Sequence, residues 1–176
     1  HPSALDEVQV PSFERTPAEG AYVLKFDGST LGRSWSAQYL VYKSVYIQRI
    51  QAPRGRGREE YVTLAQRQGI ADTLGQLLKQ NAEANGYTGK REQGALVIDY
   101  VQNLPYVPDD VSKGYDDYTK FVTETSAEGS GDCEDTAILM AALLQSEPFG
   151  YDSVLILLPG HMATGVYGTD LHGTYY

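Results

Sequence analysis

Gly131-Asp132-Cys133-Glu134-Asp135-Thr136-Ala137-Ile138-Leu139, followed later by Gly160-His161-Met162, is the stretch whose reading decides the fold. Cys133 is the only cysteine in 176 residues, so it has no intramolecular disulfide partner and no second thiolate for a zinc site. Glycines at 129 and 131 break any preceding structure. From Cys133 onward, Ala137, Ile138, Ala141 and Leu144 repeat on one face of an expected helix. The sulfur then sits in the first turn, where free N–H groups and the helix dipole favour the thiolate, the form that attacks a carbonyl carbon. Asp132, Glu134 and Asp135 pull the other way, because they disfavour a further negative charge on sulfur unless they point away or hold a cation.

A neighbouring imidazole is the usual answer, taking the thiol proton to leave a thiolate–imidazolium pair. The run Ser153-Val154-Leu155-Ile156-Leu157-Leu158 is continuously apolar and predicts a strand covered on both faces. Pro159-Gly160 turns the chain, and a second strand from His161 places His161, Ala163, Gly165 and Tyr167 on one face. A helix–strand–turn–strand order brings His161 back to the start of the cysteine helix. His1 and His172 lie near the chain ends and do not compete as the base.

Together with Val101-Gln102-Asn103-Leu104-Pro105-Tyr106, Tyr118 and Thr123-Glu124-Thr125 upstream, these residues resemble the transglutaminase-like cysteine-enzyme superfamily over roughly residues 60 to 168. The nearest branch is the prokaryotic transglutaminase-like cysteine proteinases. The resemblance implies an α+β, papain-like core with the catalytic helix packed on an antiparallel sheet. It also implies a Cys-His-Asp triad in which Cys133 is the nucleophile and His161 the base. Asp170 is the candidate third member within the chain, although the family's aspartate commonly falls further along, past Tyr176. The domain, residues 21–176, is therefore expected either to stop short of its triad or to close it differently. Gln102 or Tyr106 is expected to donate to the developing oxyanion with the Cys133 N–H.

The expected chemistry is thiol-dependent acyl transfer on peptide or amide bonds, with a cysteine peptidase acting on a protein or peptide substrate preferred. A transglutaminase-type acyltransferase and an inactive peptide-binding module are the alternatives. No cofactor is required by this chemistry. Some proteinases of the branch bind calcium around the nucleophile, and Asp132, Glu134 and Asp135 match those positions; the other reading is that they only stabilise the helix N-terminus.

A net charge of −9 argues against a general nucleic-acid binder, and Arg54-Gly55-Arg56-Gly57-Arg58 reads as a solvated loop. No apolar run approaches the ~20 residues that span a bilayer. Fourteen tyrosines and many glycines favour an exported, extracytoplasmic protein. Residues 1–20, with Pro2, Pro11 and Pro17, read as an extended arm. Residues 21–26 predict a strand ending at Asp27-Gly28, and residues 35–50 further strands whose Trp35, Tyr39, Tyr42 and Tyr46 wall a core. Helices are expected over 61–84 and 91–104. Residues 107–128 read as an acidic loop or short-helix segment on one side of the cleft, with Asp109 and Asp110 solvated.

Overall fold

Alternation in Ala21-Tyr22-Val23-Leu24-Lys25-Phe26 buries Tyr22, Leu24 and Phe26, and this strand organises the N-terminal half. A computed structural model describes residues 4–10, 12–55, 57–114 and 117–168. Its elements are β1 (Val8–Val10), β2 (Phe13–Ala18), β3 (Ala21–Thr30), β4 (Arg33–Tyr42), α1 (Lys43–Ile50), α2 (Arg58–Arg67), α3 (Ile70–Ala84), α4 (Lys90–Gln102), α5 (Asp109–Ser112), α6 (Val122–Glu128), α7 (Cys133–Gln145), β5 (Asp152–Leu158) and β6 (His161–Tyr167). The fold class is mixed α+β. Strands β1 to β4 form one antiparallel sheet in sequence order, and β5 pairs with β6 in a separate two-stranded ribbon.

Several expectations are corrected by this arrangement. The stretch read as an arm joins the sheet instead: Phe13 pairs with Phe26 and is buried, because its ring fills the space beneath β3. Strand β3 runs through Asp27-Gly28 to a turn at Leu31-Gly32, where both residues have positive φ as a tight hairpin requires. Gly28 is spared a side chain because the Trp35 ring lies over it; a Cβ there would come within 2.3 Å of that ring. Residues 43–50 are helical, since Tyr46, Ile47 and Ile50 share a helical face and only Tyr46 needs full burial. The long helix expected over 61–84 is two, divided at Gly69 in the left-handed conformation with φ 71°.

Helix α7 is the centre of the molecule. Ile138, Leu139, Ala142 and Leu143 are fully buried, and α2, α4, α6 and both strands of the ribbon pack around them. The ribbon is fastened to α7 by Thr164 Oγ1 donating to the Ala137 carbonyl at 2.8 Å and Ser153 Oγ to that of Ala141 at 3.2 Å. Its apolar run is not covered on both faces. Val154 is 57% and Leu157 76% exposed, and these two residues lie on opposite faces of a ribbon of only two strands. Among the described residues no helix is long and apolar enough to cross a membrane.

Candidate active site

Cys133 is the first residue of α7, and the chain reaches it along a short parallel bridge between Tyr106 and Gly131. Val107 N–H donates to the Gly131 carbonyl at 3.0 Å, and Gly131 N–H to that of Pro105 at 3.3 Å. Gly131 lets α7 begin close behind it, since a Cβ would lie 2.6 Å from the Cβ of Asp135. Asp132 caps the helix: its Oδ1 accepts from the backbone N–H of Glu134 at 3.0 Å and of Asp135 at 3.1 Å. Asp135 reciprocates by accepting from Asp132 N–H, which completes a capping box.

A cavity of about 340 Å³ opens at this helix start. Cys133 and Thr136 form one wall, Gln102 and Tyr106 a second, and residues 161–164 of β6 a third. The two residues expected as nucleophile and base therefore line one cavity, as do both oxyanion candidates. The hydrogen bonds among the described residues do not include one between the Cys133 sulfur and the His161 ring. Asp170 lies outside the described residues, as do Asp116, Arg56 and His172.

Four successive residues of β6 reach the cavity. Side chains of a strand alternate between faces, so a lining of both parities presents the backbone edge of the strand. Among the described residues β6 pairs with β5 alone, from Leu158↔His161 to Asp152↔Tyr167. Tyr106 stands 66% exposed at the rim. Its hydroxyl is held above the ordinary phenol range, by desolvation first and then by the negative potential of Cys133, Asp132, Asp109 and Asp110.

The acids beside Cys133 are engaged by other parts of the chain. Glu134 accepts from Arg58 Nε at 2.8 Å and from Thr119 Oγ1 at 2.6 Å. Asp135 and Lys120 are both fully buried, with Lys120 Nζ 3.2 Å from the carboxylate and the Lys120 N–H donating to it at 2.8 Å. Burial pushes the Asp135 carboxyl up to about 7 against the pull of that ammonium. Beneath lies buried Glu124, bound by Arg54 at 2.8 and 2.9 Å and by the Tyr118 hydroxyl at 2.7 Å. Arg54 and Arg58 are accordingly latches and not solvated, because each meets a carboxylate on another element.

Sequence reasoning missed this network. Residues 122–128 form one of the short helices allowed for that segment, but its polar composition hides its burial, and Asp109, expected to be solvated, is 3% exposed and accepts from Tyr118 N–H at 2.7 Å. The signal that remained was Thr123-Glu124-Thr125 beside Tyr118, residues noted for resemblance without a partner to explain them. Asp132, Glu134 and Asp135 each present an oxygen within 4.8 Å of the others, a spacing compatible with a cation, but most of their oxygens already accept hydrogen bonds.

No family model matches the chain, and no curated protein or solved structure is significantly similar to it.

Proposed function

We propose that the protein is a thiol-dependent acyl enzyme of the transglutaminase-like, papain-like kind, acting as a cysteine peptidase. The observation that carries the reading is Cys133 at the first turn of a buried helix, sharing one cavity with His161 from an opposing strand and with two candidate oxyanion donors. In this reading the Cys133 sulfur attacks the peptide carbonyl after His161 takes its proton. His161 then protonates the leaving amine, and water, deprotonated by the same imidazole, releases the acyl group. Catalytic hydrogen bonds are often long without substrate and tighten on binding, so a thiol and imidazole that share a cavity without a direct bond are compatible with these roles.

Among the described residues one edge of β6 has no strand partner, which supports a peptide as substrate. An extended chain can add to an open strand edge through its own N–H and C=O groups, which would lay a scissile bond across the cavity. Asp170 stays the proposed third member within the chain. The test is hydrolysis of a mixed unstructured protein substrate by the full chain, followed by mass spectrometry of the products. Cleavage that disappears in Cys133→Ala and His161→Ala is the expected result. Incorporation of an added primary amine in place of water would instead mark an acyltransferase, and binding without turnover an inactive peptide-binding module.

A further inference from the structure

We infer that Arg58 and Lys120 supply, from within the chain, the positive charge that offsets the acids flanking the nucleophile, so that thiol chemistry at Cys133 proceeds without calcium. The inference rests on the reading of Cys133 as nucleophile. A calcium ion takes six to eight oxygen ligands at about 2.3–2.6 Å. Here both oxygens of Glu134 are occupied, Oε1 by Thr119 and Oε2 by Arg58. Both oxygens of Asp135 are occupied as well, Oδ1 by the Lys120 N–H and Oδ2 by Lys120 Nζ and Asp132 N–H. Asp132 Oδ1 is spent on two helix N–H groups. A dication among them would have to displace one cation and sit against another that is fully buried. The donor set as arranged does not fit the metal.

The placement of the two cations also answers the electrostatic conflict of the motif. Both come from outside α7: Arg58 opens α2, and Lys120 lies in the segment before α6. Arg58 also holds Asp117 at 2.6 Å, so one guanidinium ties the start of α2, the segment before α6 and the first turn of α7. Arg58 is a positioning residue: it fixes the Glu134 carboxylate and cancels its charge one residue from the sulfur.

The test is the rate at which iodoacetamide alkylates Cys133 in the folded full chain at one neutral pH, with either millimolar calcium or a chelator present. Wild type is expected to react at the same rate and melt at the same temperature in both. Arg58→Gln is expected to react about tenfold more slowly, since an uncompensated carboxylate then stands beside the sulfur. Calcium should now speed it, because Glu134 is free to take a ligand; a purely structural role would give no such response. Arg58→Lys should keep most of the rate. Arg58 is 28% exposed in its side chain, so the substitution should fold, and Arg58→Gln with Glu134→Gln should recover the wild-type rate if charge is the cause. A wild-type rate or melting temperature that rises with calcium would overturn the inference, as would an unaltered rate in Arg58→Gln. A wild-type thiol no faster than a small free thiol would overturn the nucleophile reading itself.

Discussion

At the scale of single residues, the proposed acyl chemistry requires a donor to the developing oxyanion. Tyr106 and Gln102 both line the cavity, and each carries a donor at neutral pH, the phenol O–H and the amide N–H. The Tyr106 backbone is also pinned to Gly131, two residues before the sulfur. Tyr106→Phe is therefore expected to lower kcat for peptide hydrolysis by about 10²-fold with little change in KM, and Gln102→Ala to have the smaller effect. Equal losses in the two variants would leave the choice to the helix end instead. That Cys133 and His161 line one cavity was legible from residue type and spacing, while Gln102 and Tyr106 were singled out only through the resemblance. Arg58, Thr119 and Lys120 were not. They reach the acids across α6 or, for Arg58, across several elements, and no local pattern encodes such contacts.

At the scale of elements, legibility followed periodicity. Helix α7 and strands β5 and β6 announce themselves through apolar residues at the right intervals, with Pro159-Gly160 between the strands. Helix α1 did not, since Val45, Tyr46 and Ile47 are β-formers placed in a helix by tertiary contact: the Tyr46 hydroxyl donates to Glu128 at 3.0 Å. Helix α6 was legible only as one alternative of a loop or short-helix segment, and its burial around ion pairs was not, because it is polar. Its end shows how closely the N-terminal sheet is fitted to the site. Gly129 caps α6 with φ 66°, and a Cβ there would lie 2.2 Å from the Phe13 ring on β2. Gly129→Ala combines left-handed strain with overpacking and is expected to cost about 2–4 kcal/mol of stability. Urea unfolding checks this; a midpoint shift worth less than about 1 kcal/mol would mean that β2 yields without loss.

At the scale of the whole molecule, the buried acids give stability an unusual dependence on pH. Burial, followed by the charges of Asp132 and Glu134, raises the Asp109 carboxyl from 3.8 to about 6, with the Tyr118 N–H opposing. A carboxyl with a raised pKa keeps its proton in the folded state where the unfolded chain has lost it. Its contribution is therefore fully present below about pH 4 and is lost as pH rises through about 6. Asp109→Asn removes this loss and can still accept from Tyr118. The variant should match wild type near pH 4 and become more stable by about 1 kcal/mol at pH 7, after allowing for solvent screening. Melting curves across that range decide it; a constant difference would deny that Asp109 titrates late.

The central claim is that Cys133 is an activated nucleophile with His161 as its base. Its most direct measurement is the rate of iodoacetamide alkylation of Cys133 in the native chain against a small model thiol near neutral pH, for wild type and His161→Ala. The account expects wild type to outpace the model thiol and His161→Ala to lose that advantage while remaining folded. A cysteine that resists labelling until the protein unfolds, or that labels equally fast without His161, would contradict it.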